Sequence, residues 1–375
     1  MTITIAIDSW KGCLTSLEAA AAARDGLLRV CPQAEIRISP LADGGEGTIS
    51  ALCPPEEQIT CTVTGPMGQP VRARYGIRQA TGTAVLEMAE AAGLPLVPSD
   101  RRDPLSATTR GVGELLCDAL DRGCRSFLVG IGGSATNDGG AGMLAALGFR
   151  LLDRQGNPIS DGAAGLEQLW EIDCSGVRPE LADCRFRIAC DVQNPLCGPA
   201  GASAVYGPQK GASPELIPRL DAALARFAAV AGDRFPGCDP ALPGAGAAGG
   251  LGFGFAALLG GQLRPGAAIV LEETGLDALL EGCDLCITGE GRFDAQTSMG
   301  KAPAAVAALA HARGIPTVAL AGSVQPDAPL GEIDAVFPVP RGPVSLEEAM
   351  DPAAARRNIA SAAEQLLRLF LAARR

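Results

Sequence analysis

The chain has 375 residues, 47% hydrophobic and 19% charged, enough to bury a sizeable core in two domains or one large one. Its net charge is −11 and no basic stripe runs along it, which argues against a nucleic-acid surface. The 48 glycines cluster without a period, which excludes collagen-like and disordered classes, and no run of ~20 apolar residues offers a membrane span.

The start, Met1-Thr2-Ile3-Thr4-Ile5-Ala6-Ile7, alternates and predicts a strand at 3–7. It has neither the basic n-region nor the long apolar core of a signal peptide, so a cytoplasmic protein is expected. An alanine-rich helix follows at 16–30. A second strand at 35–38 ends in the loop Ala42-Asp43-Gly44-Gly45-Glu46-Gly47-Thr48. This β-α-β beginning predicts a parallel sheet with a right-handed crossover. Short strands at 59–63, 71–77 and 83–87, separated by turn residues, predict an antiparallel stretch. A helix at 108–119 leads to an apolar strand at 126–129 and the loop Gly130-Ile131-Gly132-Gly133-Ser134-Ala135-Thr136-Asn137-Asp138-Gly139-Gly140, then a helix at 141–147.

Beyond that loop, a strand at 186–190 ends at Asp191, and a helix is predicted at 214–227. Residues 243–254 read as a glycine-rich connector. A strand at 285–288 runs into Gly289-Glu290-Gly291-Arg292-Phe293-Asp294. A helix at 301–313, strands at 317–321 and 335–339, and a helix at 353–371 complete the chain. Both ends are β/α and the middle is mixed. The expected fold class is therefore α/β, with a Rossmann-like parallel-sheet domain from residues 1–57 and 280–375 and a mixed α/β domain, 58–279, inserted into it. The site is expected in the cleft between them.

The loop after the strand at 126–129 is the strongest chemical signal. Glycines let backbone N–H groups approach a phosphate, and a helix start adds a favourable dipole. Gly132, Gly133, Ser134, Thr136, Asn137, Gly139 and Gly140 are the candidate phosphate ligands. Asp138 fits a phosphate only if that phosphate carries Mg²⁺, which makes Asp138 a candidate metal ligand with Glu290.

Carboxylates recur where predicted strands end: Asp8, Asp43, Glu46, Asp138, Asp191, Glu290 and Asp294. In a doubly wound sheet such ends gather at one edge, where ligands bind. Glycine-flanked cations keep them company, namely Lys11, Lys210, Arg292 and Lys301. The one histidine, His311, near a predicted helix end, reads as a surface residue, so multi-histidine metal sites are excluded. The 13 cysteines read as reduced thiols, and Cys283-Asp284-Leu285-Cys286 lacks the second pair a zinc site needs.

Three phosphate motifs compete. Gly244-Ala245-Gly246-Ala247-Ala248-Gly249 spells G-x-G-x-x-G but follows no strand, and reads as a flexible or ligand-facing loop. Gly300-Lys301 precedes Ala302 and so is no Walker A motif. The turn Gly130–Ala135 with Asp153 downstream keeps an NAD(P)-dependent dehydrogenase as the alternative.

Taken together, Ile7-Asp8-Ser9-Trp10-Lys11-Gly12, Ala42–Thr48, Gly132–Gly140, Asn194-Pro195-Leu196-Cys197-Gly198, Gly207-Pro208-Gln209-Lys210-Gly211, 243–250 and Thr288-Gly289-Glu290-Gly291 resemble the bacterial glycerate kinase family, in its glycerate 2-kinase branch. The resemblance covers nearly the whole chain. It implies ATP- and Mg²⁺-dependent phosphorylation of D-glycerate to 2-phosphoglycerate, with D-glycerate and ATP as small-molecule partners. No nucleic-acid or membrane partner is expected, and a homodimer is left open. Phosphoryl transfer needs charge neutralisation, positioning and help with the hydroxyl proton. Asp191 is the first candidate for that proton and Asp294 the second, with Lys11 as a catalytic clamp. Asp8, Ser9, Asp43, Lys210 and Arg292 are the candidate substrate ligands.

Overall fold

The computed structural model describes residues 1–295, 297 and 301–374; Gly300 lies outside the described residues. The strands are β1 (Thr2–Ile7), β2 (Glu35–Ile38), β3 (Gln58–Thr64), β4 (Pro70–Arg78), β5 (Thr83–Glu87), β6 (Ser126–Gly130), β7 (Arg150–Leu152), β8 (Glu171–Asp173), β9 (Arg185–Ala189), β10 (Gln262–Arg264), β11 (Leu285–Phe293), β12 (Thr317–Val324) and β13 (Ala335–Pro338). They belong to two compact units. The first comprises Met1–Asp43, Ser50–Leu52 and Ala267–Arg375, and the second Gly44–Ile49 and Cys53–Gly266.

The first unit holds a five-stranded sheet, ordered β13-β12-β11-β1-β2, in which every pairing is parallel. Parallel strands are buried on both faces, and β1 is buried at every position but Thr2. Ile3, Ile5 and Ile7 share a core with the helices Ser16–Val30 and Pro352–Ala373. Ala6 and Cys286 share the opposite core with helix Ala302–His311 and with Ala267, Leu271, Leu276 and Leu280. The helix Ser16–Val30 starts on a full capping box, Thr15 with Glu18. Ser16 then ties the end of β1 to the segment after β2. Its hydroxyl donates to the Ile7 carbonyl at 2.6 Å and accepts the Leu41 N–H at 2.8 Å.

The chain leaves β1 toward β2 on one side, while β11 lies on the other. The space beyond the C-terminal ends of β1 and β11 is therefore the topological switch point of this sheet, where open α/β sheets bind ligands.

The second unit holds a six-stranded sheet, ordered β10-β9-β6-β5-β4-β3. The pairs β3–β4 and β4–β5 are antiparallel, as their turn residues predict, whereas β5, β6, β9 and β10 run parallel. The few aromatics are concentrated in its core, with Phe127 stacked on Phe186 at 4.9 Å and Phe227 edge-on to Phe253 at 5.6 Å.

The expected connector at 243–254 is not a flexible loop. Helix Ala247–Leu259 runs through it, nearly all buried at its start, with Ala248, Gly249 and Gly250 in left-handed conformation. A Cβ on Gly249 would lie 2.0 Å from the Thr136 carbonyl oxygen. The glycines here serve close packing against the 132–140 loop and not flexibility. The cysteines are all free thiols, and no helix among the described residues is long and apolar enough to cross a membrane.

Candidate active site

Asp8 and Glu290 come together at the switch point of the first unit because register brings them there. Ile7 pairs with Gly289, and the Asp8 N–H donates to the Gly289 carbonyl at 2.8 Å. Both carboxylates are buried, at 8% and 7% exposure. Burial pushes Asp8 up to about 7, and the charges of Asp43 and Glu290 push the same way. The Ser9 N–H, donating to Asp8 Oδ1 at 2.6 Å, and nearby Lys11 oppose the shift. Burial also raises Glu290, against a hydrogen bond from Thr297 Oγ1 at 2.6 Å and the charge of Lys301.

The cations lie around these acids. Lys11 Nζ is 3.3 Å from Asp43, Arg292 is 3.4 Å from Asp294, and Lys301 Nζ is 3.8 Å from both Glu290 and Asp294. Asp8, Ser9, Lys11, Asp43, Glu290, Arg292 and Asp294 thus fall in one constellation. Thr297, which no sequence motif singles out, also accepts the Asp294 N–H at 3.0 Å, and the glycine-flanked cation Lys301 joins the same group. The signal for Thr297 was its place three residues after Asp294.

In the second unit the glycine loop has an unexpected interior. Gly132 and Gly133 are exposed, but Ser134 through Gly140 are buried. Asp138 is fully buried, and four donors take its carboxylate. Oδ2 accepts the Thr109 N–H and hydroxyl at 2.8 Å each and the Gly142 N–H at 3.2 Å; Oδ1 accepts the Gly140 N–H at 3.1 Å. Burial raises Asp138 while these hydrogen bonds lower it. The anion at the start of helix Ala141–Ala146 is therefore the chain's own Asp138, and that carboxylate faces inward. Its expected place as a metal ligand does not suit this geometry, because both oxygens are already committed.

Lys210 is likewise internal. At 1% exposure its Nζ donates to Ser134 Oγ at 2.8 Å and to the Thr136 carbonyl at 2.6 Å, and burial lowers it to about 7 against the charge of Asp138. It props the loop from within and is not presented to a substrate. Asn137 Nδ2 donates inward to Ser203 Oγ at 3.0 Å, and Thr136 is fully buried. A side chain on Gly139 would meet the Phe227 ring at 2.7 Å. Of the seven expected phosphate ligands, the exposed backbone at Gly132 and Gly133 is what faces outward. Asp191, just past β9, is exposed, and its Oδ1 accepts the Gly266 N–H at 2.8 Å.

The glycerate kinase family model matches residues 3–371. The chain belongs to the glycerate kinase family. It is 46% identical to a glycerate kinase of Bacillus subtilis, covering 99% of this chain and 100% of that one. It is 45% identical to a glycerate 2-kinase of Escherichia coli, covering 96% and 97%. The crystal structure of a Salmonella typhimurium LT2 protein assigned as glycerate kinase 2 superposes with a TM-score of 0.92 at 46% identity, covering 100% of this chain and 99% of that one.

As a member of the glycerate kinase family the chain is a kinase. The dehydrogenase alternative also lacks its geometry. The acidic residue of a dinucleotide fold ends a strand of the same parallel sheet. Asp153 instead follows β7, which pairs antiparallel with β8 in a separate two-stranded sheet, and it closes a turn by accepting the Gln155 and Asn157 N–H groups at 2.8 and 2.9 Å.

Proposed function

We propose that this glycerate kinase transfers the γ-phosphoryl group of ATP to O2 of D-glycerate with Mg²⁺, giving 2-phosphoglycerate. The observation that carries this reading is the meeting of Asp8 and Glu290 at the switch point, with Asp43, Asp294 and three cations around them. Buried carboxylates that raise one another's proton affinity are relieved by a divalent cation. Among the described residues no three acidic, histidine or cysteine side chains form a cage by themselves. That suits Mg²⁺, which is usually bound through one or two carboxylates together with substrate phosphates. Asp8 and Glu290 would hold it together with the nucleotide's phosphates, and it would supply charge neutralisation at the phosphate oxygens.

Lys11, Arg292 and Lys301 supply the positive charge for the glycerate carboxylate and the transferring group. The exposed backbone of Gly132 and Gly133 is the proposed contact for the ATP phosphates, with Asp138 and Lys210 building the loop behind it. Asp191, held in orientation by Gly266, accepts the O2 proton, and Asp294 is the second choice. The name of the Escherichia coli relative supports transfer to O2. The free thiols support a reducing, cytoplasmic setting.

The test is ADP release with D-glycerate and ATP, with and without Mg²⁺, and phosphorus NMR of the product. A 2-phosphoglycerate signal that requires Mg²⁺ is expected. Absence of ADP release with D-glycerate would overturn the substrate, and a 3-phosphoglycerate signal would overturn the position.

A further inference from the structure

We propose that Glu87 is a positioning residue for the kinase reaction, acting by holding the segment Gly44–Ile49 in one conformation. Glu87 ends β5, whose five residues are all buried. Its Oε1 accepts two backbone hydrogen bonds, from the Gly47 N–H at 3.1 Å and from the Ile49 N–H at 2.8 Å. A buried carboxylate is costly unless such donors meet it. At 4% exposure Glu87 has that burial, and no motif assigns it a task.

The segment it holds has little room to move. A Cβ on Gly44 would meet the Ala189 Cβ at 2.4 Å and the Gly266 Cα at 2.8 Å, and one on Gly130 would meet the Gly44 carbonyl at 2.0 Å. The segment therefore lies against the C-terminal ends of β6 and β9, beside Gly130 and the residues leading to Asp191. It also continues directly from Asp43 in the chain. Fixing it fixes the backbone that follows Asp43 and the packing beside Ala189 and Gly266, which flank Asp191 in space.

One oxygen takes both hydrogen bonds, so the role asks for an acceptor at that point and not for a charge. The charged groups facing Glu87 are Arg74 and Glu90, which pair with each other at 2.9 Å.

Three variants separate the readings: E87Q keeps the acceptor without the charge, E87D keeps the charge but withdraws it by one methylene, and E87A loses both. Hydrogen exchange of the peptide covering residues 44–49 and steady-state kinetics with D-glycerate are measured on each. E87A and E87D are expected to exchange faster there, with kcat/KM lower by on the order of 100-fold and mainly in kcat. E87Q is expected to keep most of both. If E87A fails to fold, E87D against E87Q still decides. E87D resembling wild type while E87Q resembles E87A would overturn the acceptor role. Faster exchange with unchanged kcat/KM would overturn the link to the reaction. The proposal rests on the kinase reading only for its kinetic arm. A wild type without ADP release would sink that reading, and the exchange arm would still decide the anchoring.

Discussion

Thr109 gives the Asp138 carboxylate two hydrogen bonds at one oxygen, from its N–H and its hydroxyl, each at 2.8 Å. The same hydroxyl accepts the Met143 N–H at 3.0 Å, so the pair binds the glycine loop to two helices, Arg110–Asp121 and Ala141–Ala146. Removing a buried acceptor strands its donors at about 1–3 kcal/mol each. Asp138→Ala is therefore expected to lose at least about 3 kcal/mol in urea unfolding. An unchanged midpoint would show that the carboxylate is not structural.

Asp8 carries a different signature. Its folded value is raised from 3.8 to about 7, so the folded chain keeps this proton where the unfolded chain has lost it. The stability it contributes is present below pH ~4 and is lost as pH rises toward ~7, at up to about 1.4 kcal/mol per pH unit. Asp8→Asn should flatten that part of the stability–pH curve without lowering the stability near pH 7. ADP release should fall by on the order of 100-fold or more. A curve of wild-type slope would refute the buried, repelled state of Asp8.

Lys210 shifts in the opposite sense. Burial lowers it from 10.5 to about 7, so the unfolded chain binds the extra proton between those values. Its contribution is fully present above pH ~10.5 and is lost as pH falls toward ~7. Lys210→Met fills similar volume without the charge and should abolish that slope in denaturant titrations. Retention of the slope would place the titration elsewhere.

Lys11 separates chemistry from stability. Its side chain is 58% exposed in the ion pair with Asp43, and exposed pairs contribute about 0–1 kcal/mol. Lys11→Ala should leave the melting temperature within about 2 °C while raising the Michaelis constants or lowering turnover. Unchanged kinetics would remove Lys11 from the site.

Much of this was legible in the chain. Strands such as 83–87 and 126–129 show themselves as short apolar runs between turn residues, and the alanine-rich run at 16–30 shows its helix. The expectation of acidic residues at strand ends holds for Asp8, just past β1, whereas Glu290, expected in a loop after a strand at 285–288, lies within β11, which continues to Phe293. Glu87 escaped the same rule, because nothing local distinguishes a carboxylate that serves the backbone from one left in solvent. Asp138 and Lys210 were legible as important and misread in kind, since glycine-rich sequence looks alike whether its polar groups face a ligand or the interior.

The sequence by itself determined the α/β class, the family and which residues could carry charge at strand ends, because periodicity and glycine placement are local properties. Only the tertiary structure decided which way those charges face. The register of Ile7 with Gly289 brings Asp8 and Glu290 together, and the packing of Thr109 beneath the loop turns Asp138 inward. Both are long-range pairings, set by burial of surfaces far apart in the chain, and burial is what raises a carboxylate or commits it to backbone donors.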